Sequence, residues 1–126
     1  MRLLLDTNIV IRLRQSERQI DRRTRRIIES AATVYVSAAS IWEIAIKVSA
    51  RKLDIDIDSL EAGLLEAGIK PLPVTWTHAR RSYDIAAAHA DPFDRLLLTQ
   101  AVCEPLHLLT SDDQLAQYSS ELVITV

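Results

Sequence analysis

The chain alternates short, unbroken apolar runs with longer stretches in which apolar residues recur every three or four positions. The runs are Leu3-Leu4-Leu5, Thr33-Val34-Tyr35-Val36, Leu106-His107-Leu108-Leu109 and Leu122-Val123-Ile124-Thr125-Val126. None alternates apolar with polar residues, which is the pattern of strands covered on both faces. Pro71-Leu72-Pro73-Val74 is a weaker strand, because proline cannot donate to a sheet ladder. Helical periodicity falls near 7–14, 17–31, 37–51, 58–68, 76–89, 92–103 and 112–118. Strands alternating with helices predict an α/β fold of three layers, helices covering both faces of a central, mainly parallel sheet of about four to five strands. In such sheets ligands bind outside the carboxyl ends of the strands. The residues just after each run are therefore where chemistry is expected.

Composition narrows the chemistry. At 126 residues, 1–126 is expected to be one domain, large enough to bury a core without disulfides. The lone Cys103 lies among Leu97, Leu98, Ala101 and Val102 and is expected to be a small buried residue in a reduced compartment. Gly63 and Gly68, the only glycines, form no phosphate-cradling loop or dinucleotide fingerprint. His78, His89 and His107 lack zinc-site spacing. No apolar run approaches the roughly 18 residues that span a bilayer, and the N-terminus meets Asp6 too early for a signal peptide. These features predict a soluble, cytoplasmic protein with no membrane partner.

The net charge of −2 conceals an asymmetry. Residues 1–26 hold eight arginines against Asp6, Glu17 and Asp21, whereas residues 27–126 hold seven basic residues against fourteen acidic ones. A basic front and an acidic remainder call for separate explanations.

Four acids sit where strands give way to helices: Asp6 after the first run, Glu43 on the helix after the second, Asp94 behind Asp91-Pro92, and Asp112 after Leu109-Thr110-Ser111. Each has a structural explanation. Asp6 suits a helix N-cap, and Glu43 suits the third member of a capping box begun by Ser40. Asp94 suits the same role behind Asp91, with Pro92 at the first helical position. Asp112 suits the positive end of a helix dipole. Helical geometry weighs against these explanations for two of the four. The 37–51 helix is apolar around most of its circumference, which predicts burial and places Glu43 near other protein, with Lys47 as its partner one turn on. Asp94 falls between Leu97, Leu98 and Ala101, with Arg95 and Thr99 on the opposite side. If the four acids share one crevice, carboxylates about 4 Å apart repel by roughly 4 kcal/mol at an effective dielectric of about 20. Such a group holds extra protons or binds a cation, and oxygen donors alone suit Mg²⁺ or Mn²⁺.

The same residues carry a family resemblance. Leu4-Leu5-Asp6-Thr7-Asn8 resembles the opening motif of a PIN domain, and Ser40-Ile41-Trp42-Glu43-Ile44-Ala45-Ile46-Lys47 its second. His89-Ala90-Asp91-Pro92-Phe93-Asp94-Arg95-Leu96-Leu97, with Gln100-Ala101, resembles the third, and Leu109-Thr110-Ser111-Asp112 the fourth. The match runs in order over almost the whole chain, and its pattern is most similar to VapC-type toxins of bacterial toxin–antitoxin operons. The resemblance implies a PIN-like fold and a Mg²⁺- or Mn²⁺-dependent endoribonuclease whose acidic quartet is Asp6, Glu43, Asp94 and Asp112. It implies Thr110, Ser111 and, more weakly, Asn8 as supporting groups. It further implies a homodimer and a small VapB-like antitoxin. For Asp91 a helix cap is the expected role. His89 and Asp113 receive no role from the resemblance.

The basic segment has two competing uses. Arg12, Arg18, Arg22, Arg25 and Arg26 suit RNA phosphates, whereas the resemblance implies that the first two helices form an antitoxin groove, and the apolar helices near 7–14 (Ile9, Val10, Leu13) and 37–51 suit a dimer or antitoxin surface. For any single arginine a solvated helix face is the structural explanation. Trp42 and Trp76 sit in helical patterns that suggest core or interface, although both are capable of stacking on bases. Among rival readings, a dehalogenase-like phosphatase wants an acid where Asn8 stands. A phosphoacceptor receiver wants a late lysine, and Lys70 is the last. A PIN nuclease of RNA processing, or a non-catalytic antitoxin- or RNA-binding module whose acids are helix caps, remain the alternatives.

Overall fold

A computed structural model describes residues 1–16, 19–85 and 91–126. Five strands, β1 (Arg2–Leu5), β2 (Thr33–Ser37), β3 (Lys70–Leu72), β4 (His107–Thr110) and β5 (Val123–Thr125), form one sheet in the order β3-β2-β1-β4-β5. Every pairing is parallel, with Leu4 opposite Tyr35 on one side and Leu108 on the other. The expected three-layer α/β fold is therefore present, with a fully parallel sheet.

The unbroken leucine run of β1 has a direct reason. Leu3 and Leu5 point into a core shared with Ile9, Val10, Val36, Ile44, Leu60 and Leu64. Leu4 points the other way, into a core with Leu97, Leu98, Ala101, Leu108 and Leu115. Successive strand side chains face opposite sides, so a central strand buried on both faces needs apolar residues throughout. Helices α1 (Thr7–Gln15), α2 (Arg22–Ser30), α3 (Ala38–Ser49) and α4 (Ile57–Glu66) contribute to the first core, and α6 (Pro92–Cys103) and α7 (Asp113–Ala116) to the second. The short α5 (Trp76–Arg81) runs into a 3-10 turn at Ser82–Ile85, whose Ile85 joins the second core. No helix among the described residues is long and apolar enough to cross a membrane.

Several expectations need correction. The helix expected over 17–31 begins at Arg22, because Asp21 caps it by accepting from the Thr24 N–H at 2.7 Å. The 76–89 pattern resolves into α5 and the 3-10 turn, and residues 86–89 lie outside the described residues. Pro71 is accommodated because β3 is an edge strand. Cys103 is half-buried rather than buried. Ile9 and Val10 are fully buried, so they supply no docking surface. Thr99, expected away from the core, is buried too, its hydroxyl donating to the Arg95 carbonyl at 2.8 Å. The apolar circumference of α3 does not mean burial all round. Trp42 and Ile46 are 62% and 44% exposed, and Trp76 on α5 is 94% exposed.

Candidate active site

In chain order the strands step outward from β1 to β2 and β3, and the chain then returns to place β4 on the other side of β1. This reversal opens a crevice at the carboxyl ends of β1 and β4. Asp6 follows β1 and caps α1, while Asp112 follows β4 and caps α7. The second turn of α3 contributes Glu43, and the first turn of α6 contributes Asp94.

Asp6 is the most firmly held. Its Oδ1 accepts from the Thr7 N–H at 2.8 Å and its Oδ2 from the Thr110 hydroxyl at 2.6 Å. Thr110 is fully buried and also receives the Asp112 N–H at 3.0 Å, so one hydroxyl ties the two strand ends together. Thr7 turns its own hydroxyl to Ser40 Oγ at 2.9 Å, locking α1 against α3. Ser40 is consequently not a helix cap. Ser37 holds that position, accepting from the Ala39 N–H, and the capping-box explanation of Glu43 falls. Glu43 is largely buried and lies 3.3 Å from Lys47 Nζ, the expected partner one turn on.

Asp91 caps α6, its Oδ1 accepting from the N–H groups of Phe93 at 2.8 Å and Asp94 at 3.4 Å. That is the role expected of it. It leaves Asp94 half-buried on the inner side of the first turn. Burial and the negative charges of Asp6, Asp91, Glu43 and Asp112 push the Asp94 carboxyl up to about 7. Asp6 is raised as well, first by burial and further by Glu43 and Asp112, against the hydrogen bonds from Thr110 and Thr7 that lower it. The four acids of the quartet thus lie within electrostatic reach of one another, as expected of acids sharing a crevice, and the repulsion opposes ionisation of Asp6 and Asp94.

As the side chains stand, no three His, Cys, Asp or Glu residues among those described form a group that could hold a metal ion. Asp6, Glu43 and Asp112 each meet a donor of their own: Thr110, Lys47 and the Gln114 N–H. The donor chemistry still suits a hard divalent cation. Carboxylates from four different elements lie within electrostatic reach of one another, with the Thr110 hydroxyl on Asp6, and no imidazole or thiolate among the described residues belongs to that group.

The remaining expected residues are more dispersed. Asn8 is exposed on α1, Ser111 is half-buried after β4, and Asp113 is exposed in the first turn of α7. Arg22, Arg25 and Arg26 are exposed on α2, and Arg12 is half-buried on α1. Their neighbour Arg23 donates to the Thr125 carbonyl at 2.7 Å, which fastens α2 to the end of β5. Arg18 and His89 lie outside the described residues. Sequence reasoning missed the Thr7–Ser40 bond. The signal was present, since each residue lies in a motif carrying an acid, but nothing along the chain says that the two motifs meet.

A family model described as PIN domain matches residues 3–121. The chain belongs to the PIN-domain family. Among solved structures, it is similar to a toxin–antitoxin complex from Klebsiella pneumoniae, at 17% identity and a TM-score of 0.69, over 98% of this chain and 96% of that one. It is also similar to VapBC2 from Rickettsia felis bound to a DNA fragment from their promoter, at 12% identity and a TM-score of 0.72, over 99% and 98% of the two chains. A third is FitAcB from Neisseria gonorrhoeae, at 20% identity and a TM-score of 0.65, over 98% and 96%. At these identities the likeness is one of fold. Comparison with curated proteins finds no match.

Proposed function

We propose that this protein is a metal-dependent endoribonuclease of the VapC type, the toxin of a toxin–antitoxin pair. The observation that carries this reading is the cost the fold bears at Asp94. Burial and four neighbouring carboxylates hold it up to about 7, an arrangement whose ionised form works against folding unless a cation offsets the charge. Asp6 and Asp94 would hold Mg²⁺ or Mn²⁺ most directly, with Glu43 and Asp112 completing the shell. The ion, when bound, supplies a hydroxide from water near neutral pH and offsets charge on the attacked phosphate. The protein's part is positioning. Thr110 fixes the Asp6 carboxylate, and Asp91 sets the start of α6. The Thr7–Ser40 bond holds α1 to the helix that carries Glu43. Ser111 and Asn8 stand near enough along the chain to support the site. No protein nucleophile is required.

The antitoxin partner is supported by the neighbours in fold, one of which is a toxin–antitoxin complex and another VapBC2. A homodimer is proposed on the family resemblance. Arg12, Arg22, Arg25 and Arg26 offer a cationic face to RNA or to the antitoxin. Charge reversal on α2 separates these uses, since RNA binding lost with antitoxin binding intact assigns the arginines to RNA. Cleavage of RNA by Asp6→Asn and Asp94→Asn proteins in Mg²⁺ tests the activity, and full activity in both would falsify it.

A second reading has its own support, because Asp6, Asp91 and Asp112 all cap helices. On that reading the chain is a binding module and the acids serve the fold. Heat stabilisation by Mg²⁺ decides between the two, since a set of caps gains nothing from the ion.

A further inference from the structure

Beside the acids, between the last turns of α3 and the first turn of α6, lies a cleft of ≈ 550 Å³ lined by Glu43, Ile46, Lys47, Ala50, Lys52, Asp91, Pro92 and Phe93. Its size is that of a small-ligand site. Its walls are mainly apolar: Ile46, Ala50, Pro92 and Phe93, with exposed Trp42 set edge-on to Phe93 at a ring separation of 5.4 Å. Two cations, Lys47 and Lys52, stand at its α3 side. Glu43 belongs both to this cleft and to the acidic quartet, so whatever occupies the cleft abuts the acids.

The backbone here is shaped at some expense. α3 ends at Ala50, and Arg51 follows with φ +58. The Arg51 N–H bonds back to the Val48 carbonyl and the Lys52 N–H to the Lys47 carbonyl at 2.9 Å. α4 ends in the same double-bonded turn, with Gly68 at φ +80 in the equivalent place. Glycine is the ordinary choice there, since a Cβ is disfavoured in that conformation. At α3 an arginine accepts the disfavoured conformation, and the turn folds Lys52 back over the end of the helix, into the wall that already holds Lys47.

We infer that this cleft seats the nucleotide next to the scissile phosphate, its base against Phe93 and Ile46 and its phosphate on Lys52 and Lys47. The inference rests on the nuclease reading, since it names the substrate contacts of that same site. Apolar and aromatic walls suit a base, and the lysines suit the anion to which it is joined. Lys47 carries three donors, so its contact with Glu43 leaves others for a phosphate. A purely apolar partner would gain nothing from the two cations, and an acidic peptide would meet Glu43 and Asp91 on the same walls. A phosphate chain must already come to those acids to be cut.

Trp42 reports on the cleft through its ring contact with Phe93 of the wall. In Trp76→Phe protein it is the only tryptophan. Titration with a short single-stranded RNA in EDTA should change its emission. Lys52→Glu should raise the midpoint about tenfold and flatten the dependence of log affinity on log salt by about one. Lys70→Glu, the same charge change on β3, should leave the midpoint within twofold. Phe93→Leu should weaken binding without altering the salt dependence. RNA binding that ignores Lys52, or that weakens equally in both charge variants, overturns the inference. So does an emission change that follows protein concentration and not RNA, which would mark a contact between copies. Parallel cleavage assays in Mg²⁺ keep the two readings apart. RNA that binds with Lys52 sensitivity yet is never cut supports the cleft and overturns the nuclease. RNA cut with equal KM by wild type and Lys52→Glu does the reverse.

Discussion

Asp21 and Asp94 both stand at the start of a helix, and the fold treats them in opposite ways. Asp21 precedes α2, accepts from the backbone and hydroxyl of Thr24, and has Arg23 and Arg12 nearby. All of these hold its carboxyl below 3.8. Asp94 lies inside the first turn of α6, where Asp91 already occupies the capping position. Burial and other carboxylates raise it to about 7. One acid stabilises the helix it starts, and the other opposes the fold that contains it. Residue type and helical position are the same kind of information for both. What separates them is the company each keeps, and a fold that tolerates an unfavourable acid marks a site where something other than stability is at stake.

The comparison breaks most visibly in activity. Asp94→Asn should cut RNA at least about a hundredfold more slowly in Mg²⁺, since the proposed nuclease loses one of its metal ligands, whereas Asp21→Asn, still a competent cap, should keep its rate within twofold. A gel-based cleavage assay on both proteins checks this. Next in size is metal linkage. At 100 times its dissociation constant, Mg²⁺ should stabilise wild type by about 2.7 kcal/mol. Asp21→Asn should gain as much and Asp94→Asn almost nothing in the same thermal melts.

The pH dependence of stability in EDTA is a smaller effect but a sharper one. The folded pKa of Asp94 lies above the unfolded value, so between about pH 4 and 7 the folded chain binds the extra proton and loses stability as pH rises. Asp94→Asn should therefore melt above wild type at pH 8, with the gap closing as pH falls to 4. An Asp94→Asn protein that melts lower at pH 8 would mean that the acid is structural. Asp21 carries the opposite sign. Its stabilisation is present above pH 3.8 and is lost as pH falls through its lowered pKa. Asp21→Ala should thus melt a few degrees below wild type at pH 7, and at about the same temperature in strong acid.

Much of this architecture was legible along the chain. The strand runs were, because a sheet buried on both faces admits no alternation, and β1 shows why: Leu4 faces one core while Leu3 and Leu5 face the other. Aspartate caps were legible at Asp6 and Asp91, since capping is a local bond between a side chain and the next turn, whereas Asp112, read only as favouring a helix dipole, caps α7 as well. The start of α2 was not, because helical periodicity runs through Asp21, and only its side-chain bond to the Thr24 N–H marks the helix as beginning after it. The exposed face of α3 was legible only as one of two alternatives. A helix apolar all round is compatible with a core or with a surface that meets another molecule, and periodicity is the same for both.

The sequence by itself determined the α/β class, the strand positions and the placing of Asp6 and Asp112 just after strands, with Asp94 in the first turn of a helix, because these depend on local periodicity and capping. The tertiary structure alone decided that β4 lies beside β1, that the Thr110 hydroxyl bridges Asp6 and Asp112, and that Asp94 is held near 7 while Asp21 is held low. It also decided that Lys52 turns back to join Lys47 beside Phe93. Such facts depend on which distant segments meet, and the field at a carboxylate is a sum over neighbours that no stretch of chain contains.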